Sequence, residues 1–526
     1  MTDHIKIPVR RCNFHAAGVR IALVGAVLGV AVSCSSSGPA VTKPGGAGAT
    51  AGAGAGGPAS GSAAPRAAAP PAAPQEPPAA RQFAAWLAAF NAADRATLLA
   101  YHERSFPYAA ASADVAGIDR ELELSQGTGG FELRKTEEST ATRFSTILKE
   151  KNSDQHARAT MEVDAAEPHR VVRFQIGPIP TPDDLRVQRM SEADAIAALR
   201  AELADAVAKD RFSGAVLVAK NGVPIFAEAF GLADREKQVP NKLDTRFRIG
   251  SMNKMFTAVA TLQLVQGKQL ETGTTVGKVL RDYPNTGVAS KVTVHHLLTH
   301  TGGTGDIFGP DFDAHRLELK TIGDYVKLYG NRDLEFEPGS KWDYSNYGFI
   351  LLGAIIEKIS KQSYYDRVTA KVFQPAGMTG TASPPEDRPD AARSVPYTKE
   401  TPDGPWTSVA STLPYRGTSA GGGDSTVGDL LRFASALIGS KLLDAAHTAL
   451  LTTGKFDTPG GAKYAYGFED GTENGVRCFG HGGGAPGMNG ALKICDSGYT
   501  IVVLANLDPP AASRMARFIQ HRLPAK

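Results

Sequence analysis

"RIGSMNKMFTAVATLQLV", residues 248–265, sets a serine and a lysine three apart where a glycine turn runs into an apolar helix. Residues three apart on a helix share a face, so Ser251 and Lys254 can bring hydroxyl and amine within hydrogen-bond reach. A serine hydroxyl is a weak nucleophile until a base takes its proton, and a partly buried lysine with a lowered pKa can be that base. The helix N-terminus adds a field that favours developing negative charge, and the Ser251 backbone N–H can point at an oxyanion. A capping serine beside a surface lysine would read the same way locally, so the decision lies elsewhere in the chain.

Two further stretches supply it. "WDYSNYGFILLGAIIEKIS" (342–360) places Tyr344, Ser345 and Asn346 just before an apolar helix. "RCFGHGGGAPGMNG" (477–490) places His481, Gly482 and Gly483 on a strand entering a Gly-rich turn. The order Ser-x-x-Lys, Tyr-x-Asn, then a strand motif ending in glycine resembles the serine β-lactamase and penicillin-binding-protein superfamily. Its nearest branches are class C β-lactamases, D-aminopeptidases and β-lactamase-fold esterases. "VTVHHLLTHTGG" (292–303), "EPGSKWDYSNYGFILLG" (337–353) and "GTSAGGGDSTVGDLLRF" (417–433) extend the likeness, which covers about residues 195 to 526.

The resemblance implies an α+β fold: an antiparallel sheet flanked by helices, plus a mostly helical subdomain. It implies that Ser251 attacks an acyl carbonyl and that Lys254 and Tyr344 move its proton, Tyr344 carrying it to the leaving group. Asn346 is expected to orient Lys254 and touch the substrate. Backbone N–H groups of Ser251 and Gly484 are expected to form an oxyanion hole, and Gly482 and Gly483 to let an acyl chain lie against their strand. No cofactor or metal is implied. His481 stands where β-lactamases and transpeptidases usually carry lysine. A neutral imidazole is a weaker, pH-dependent anchor for an anion, so an ester, amide or small peptide is expected over a β-lactam. A class C-like β-lactamase, a D-Ala-D-Ala carboxypeptidase and a non-catalytic peptidoglycan- or peptide-binding envelope protein are the competing readings.

Other motifs carry less. "GTSAG" (417–421) and "HGGG" (481–484) mimic the nucleophile elbow and oxyanion motif of α/β-hydrolases, but in the wrong order and without a strand ahead of Ser419. His295, His296 and His300 suggest a metal site but lack a convincing carboxylate or cysteine partner.

The remainder of the chain reads as export and tethering. His4, Lys6, Arg10, Arg11 and Arg20 precede twelve apolar or small residues, Ile21 to Val32, and then Cys34. That pattern is a secretory signal, the run being short of the about 20 residues that span a bilayer. "AVSC" (31–34) resembles a lipobox, which would make Cys34 a lipid-anchored mature N-terminus on the periplasmic or cell-surface side. Cys12 falls within the signal. Cys478 and Cys495 flank the loop "GGAPGMN" and either bridge across paired strands or sit there as buried thiols.

Residues 35–80 are almost wholly Ala, Gly, Pro and Ser and read as a disordered linker. Residues 81–185 show helical spacing (Phe83, Trp86, Leu87, Phe90) followed by alternating stretches, implying a small α+β domain with a curved sheet. Its opening helices resemble nuclear-transport-factor-like domains, and a spacer role is expected of it. In residues 186–526 the pair Asn221-Gly222 signals a hairpin. Strands at both ends of that segment, with helices between, imply one sheet built from both termini. A net charge of +3 over 526 residues, with no basic run interleaved with aromatics, sets nucleic acid aside as a partner.

Overall fold

The pairing of first and last strands organises the larger part of the molecule. In the computed structural model, residues 76–106, 115–388, 390–401, 404–459 and 461–526 are described. The expected signal segment with Cys12 and Cys34, and the expected linker as far as residue 75, lie outside them. The described residues divide into two compact units, with the division after Ile179.

The first unit has helices α1 (Pro78–Asn91), α2 (Arg95–Ser105) and α3 (Val115–Thr128). A four-stranded antiparallel sheet follows, in the order β1 (Phe131–Ser139), β2 (Arg143–Glu150), β3 (His156–Val163), β4 (Val171–Ile179). Proline in the first turn and Asp94 accepting from Thr97 N–H start the first two helices. Phe83, Trp86 and Phe90, spaced three and four apart, form one buried stripe against Phe144, Leu148, Ala159 and Met161 of the sheet. The other face of the sheet carries ion pairs, among them Arg158 with Glu137 and Arg143 with Glu162.

The second unit begins with α4 (Glu192–Ala208), capped by Ser191 accepting from Asp194 N–H. Asn221 and Gly222, both at positive φ, then turn β5 (Gly214–Lys220) into β6 (Val223–Phe230). The chain later lays down β7 (Phe456–Asp457), β8 (Lys463–Tyr464), β9 (Glu469–Glu473), β10 (Val476–Ala485), β11 (Met488–Cys495) and β12 (Tyr499–Ala505). The eight-stranded order is β7-β8-β9-β10-β11-β12-β5-β6, so the last strand joins the first hairpin.

Alternation along β5 separates two cores. Ala215, Leu217 and Ala219 face the helical interior, which includes Phe256 and Val259 of α5 (Asn253–Gln266) and Ile350 and Leu351 of α6 (Asn346–Ser360). Val216 and Val218 face α4 and the terminal helix α7 (Ala511–Arg522) through Leu199, Leu203, Met515 and Ile519. A strand buried on both faces reads as a continuous apolar run, as "GAVLVAK" does. Cys478 and Cys495 stand directly opposite on β10 and β11 and are joined in a disulfide. The strand that carries Gly482 and Gly483 runs as far as Ala485, and the reversal is confined to Pro486 and Gly487.

Candidate active site

Ser251 lies in a single 3-10 turn, Gly250–Met252, immediately ahead of α5. The turn is held by main-chain bonds to a glycine run: Ile249 N–H donates to Gly423 O (3.1 Å) and Gly422 N–H to Gly250 O (3.2 Å). Ser251 is half-buried, whereas Lys254, one turn on, is 0% exposed. The Lys254 amine donates to Asn346 Oδ1 (2.7 Å) and to Ala420 O (2.5 Å), and stands 3.1 Å from Ser251 Oγ. Burial without a directly contacting carboxylate brings its pKa down to about 7, against a pull upward from Asp306. A neutral amine has two hydrogens and one lone pair. The two carbonyl oxygens take the hydrogens, which leaves the lone pair for the Ser251 hydroxyl.

The Asn346 amide is itself oriented. Its Nδ2 donates to Asp306 Oδ1 (2.9 Å) and Oδ2 (3.2 Å), so its oxygen must face Lys254. Ser345 caps α6 by accepting from Gly348 N–H (2.9 Å), fixing the entry of the Tyr344-Ser345-Asn346 segment. Tyr344 places its ring 4.6 Å from Lys254 Nζ. Its hydroxyl is buried without a well-formed hydrogen bond. Burial drives the phenol's pKa far above its ordinary value, with the nearby Ser251 hydroxyl opposing the rise, so Tyr344 stays protonated.

His300 holds this segment from behind. It accepts from Ser345 N–H through Nδ1 (3.1 Å), its carbonyl accepts from Asp343 N–H (2.9 Å), and its ring lies 4.2 Å from that of Tyr344.

Strand β10 forms the opposite wall. Gly250 has φ +51°, and a Cβ there would come within 3.1 Å of Gly484 N, so the serine turn and the Gly484 amide adjoin. For Gly483 the geometry gives a reason other than substrate approach: a Cβ there would meet Ile249 O at 1.9 Å, so the missing side chain lets strand and serine turn pack. At Gly482 the nearest atom to a Cβ would be Gly490 O at 3.7 Å. Strand β9 pairs with β10 only as far as Gly480, so among the described residues the His481–Ala485 edge on that side has no strand partner. His481 is 2% exposed. Its Nε2 is 2.9 Å from the Tyr464 hydroxyl and its Nδ1 lies against Gly482 O.

The decoy motifs have other duties. Ser419 is fully buried, and a Cβ at Gly353 would come within 2.4 Å of its Oγ, so its side chain is walled in. His295 meets the Tyr466 hydroxyl (2.8 Å), and His296 completes a capping box with Thr293. Among the described residues no group of three or more His, Cys, Asp or Glu side chains is placed to hold a metal ion. The residues that motif reading left out are Asp306, the Ala420 carbonyl, His300 as a support, and Tyr464. Only Asp306 and His300 had a signal, since both fall in or just after "THTGG".

A family model described as Beta-lactamase matches residues 194–526. A penicillin-binding protein of Bacillus subtilis (strain 168) is 36% identical over 178 residues, 33% of this chain and 38% of that protein. Esterase EstB of Burkholderia gladioli is 34% identical over 203 residues, 36% of this chain and 52% of that protein. The chain thus spans about half or less of the length of these two curated relatives. Among solved structures, a penicillin binding protein from Bacillus halodurans is 31% identical with a TM-score of 0.55, covering 60% of this chain and 99% of that one.

Proposed function

The chain belongs to the Beta-lactamase family of serine hydrolases, esterases and amidases, and from that membership we propose that it hydrolyses an ester, amide or small peptide through an acyl-serine intermediate. The observation that carries the reading is the coordination of the Lys254 amine: two carbonyl acceptors and one serine hydroxyl around a fully buried nitrogen.

The neutral amine takes the Ser251 proton as Oγ bonds to the acyl carbon. The carbonyl oxygen, gaining the electron pair, sits against the backbone N–H groups of Ser251 and Gly484, each such donor being worth about 2.7 to 4 kcal/mol. Collapse of the adduct breaks the bond to the leaving group, which receives a proton from the Tyr344 hydroxyl, and Lys254 returns the serine proton to the phenolate. Water then adds to the acyl carbon with the same groups acting in turn, which releases the acid and restores Ser251. The uncovered edge of β10 can take an extended acyl donor by main-chain pairing.

The cysteine pairing supports an oxidising location, consistent with export and with a lipid anchor at Cys34 on the periplasmic or cell-surface side. The unit of residues 76–179, with its nuclear-transport-factor-like helices, serves in this reading as a spacer between membrane and hydrolase.

The test is a panel of p-nitrophenyl esters, D-amino-acid amides and nitrocefin on wild type and Ser251→Ala, with a fluorophosphonate probe on both. Turnover of esters or amides and labelling that both vanish in the variant support the reading. Nitrocefin as the best substrate would make it a β-lactamase, and preferred release of D-alanine from a D-Ala-D-Ala peptide a carboxypeptidase. Peptide binding with no turnover by wild type would make it a binding protein. Palmitate labelling that persists in Cys34→Ala would remove the anchor.

A further inference from the structure

The position that in lysine-bearing relatives meets a substrate anion is occupied here by a side chain with nothing left to give. His481 lies on β10 beside the Gly482 to Gly484 run, is 2% exposed, and has both ring nitrogens engaged. Nδ1 is against Gly482 O, a pure acceptor, so that nitrogen carries the hydrogen. Nε2 is then the acceptor, and the Tyr464 hydroxyl, 2.9 Å away, donates to it.

Tyr464 ends β8 opposite Glu469 of β9, which in turn pairs with Gly480 of β10, and is 1% exposed. Its ring packs against those of His300 (4.6 Å) and Trp342 (6.2 Å), which restrain it beside the imidazole. The charged and titratable groups around His481 are Tyr464 from β8, Glu469 from β9, Lys493 from β11, Lys254 from α5 and His300. Lys493 lies 3.6 Å from Glu469, which balances it. Burial and Lys254 lower the imidazole pKa, although Glu469 opposes them, and the same burial and neighbours keep His300 neutral.

We propose that Tyr464 is a specificity-determining residue: by donating to His481 Nε2 it spends the one nitrogen that β10 leaves open. The His481 side chain therefore offers a substrate carboxylate neither a charge nor a donor. The inference rests on the acyl-serine reading above and narrows its substrates to acyl donors whose leaving group bears no carboxylate.

The experiment compares kcat/KM for one peptide ester bearing a carboxylate on its leaving group and for the same ester with that carboxylate methylated. Wild type is expected to favour the methylated form by about tenfold or more, the span of one hydrogen bond to a charged group. Tyr464→Phe keeps the ring but frees Nε2, and is expected to narrow that ratio, most at acidic pH where the freed imidazole takes a proton. In wild type, imidazole NMR should show His481 still as the neutral Nδ1–H tautomer at acidic pH where an exposed imidazole is already protonated, a readout that does not depend on the variant folding.

Equal or better use of the carboxylate form by wild type overturns the proposal. So does a His481 that titrates normally in wild type, or a folded Tyr464→Phe protein whose ratio is unmoved at every pH. Absence of any Ser251-dependent turnover would instead remove the acyl-serine reading itself, leaving the NMR result to judge the Tyr464–His481 pair on its own.

Discussion

In the unit of residues 76–179, Arg158 meets Glu137 at 2.7 Å with half of its side chain in water. In the other unit Lys254 is wholly buried, and the Asp306 carboxylate reaches it through the Asn346 amide. The first cation is strongly paired and chemically idle. The second is denied a direct counter-charge, and desolvation therefore lowers its pKa into the working range. A reactive group is made by what is withheld from it, and the number of charges nearby is a poor guide.

Four substitutions sharpen or break that contrast. Ser251→Ala is expected to cost about 10⁴-fold or more in kcat/KM for the best ester or amide, with the fold intact by circular dichroism. Lys254→Met, which keeps the buried volume, is expected to cost about 10³-fold, the contribution of a general base. The wild-type profile should agree: the amine is charged and useless as a base below about 7 and neutral above it, so kcat/KM should rise with pH through about 7 and then level. A profile flat down to pH 5 would mean that Lys254 is not the base.

Asp306→Ala leaves the Asn346 amide free to turn its NH₂ toward the lysine, and a loss of about 10²-fold, mainly in kcat, is expected from the misplaced amine. Arg158→Ala should change the melting free energy by no more than about 1 kcal/mol and leave hydrolysis alone. A large activity loss there would give the 76–179 unit a part in catalysis.

Much of this was legible in the residues. Ser251 and Lys254 were readable because helix periodicity fixes their relation within one turn, and the hairpin at Asn221-Gly222 because only a few residues accept positive φ at both positions. Tyr344, Asn346 and His481 needed the family likeness, since nothing in local physics ties residue 251 to residues 344 or 481. Tyr464 was out of reach for a plainer reason: it acts on a partner 17 positions away across the fold and sits in no pattern that announces it, while Asp306, acting on a partner 40 positions away, had only its place just after "THTGG" as a signal. Gly482 and Gly483 lie on the strand on which their sequence placed them, and the missing side chain of Gly483 serves the close approach of the serine turn.

The sheet order also has a consequence for timing. Both β10, which brings the Gly484 amide, and β12, which pairs with β5 of the first hairpin, leave the ribosome after the serine helix. Nucleophile and lysine are synthesised some two hundred residues before the wall they work against. A nascent chain therefore carries the serine without its opposite wall until β10 has emerged and joined the sheet.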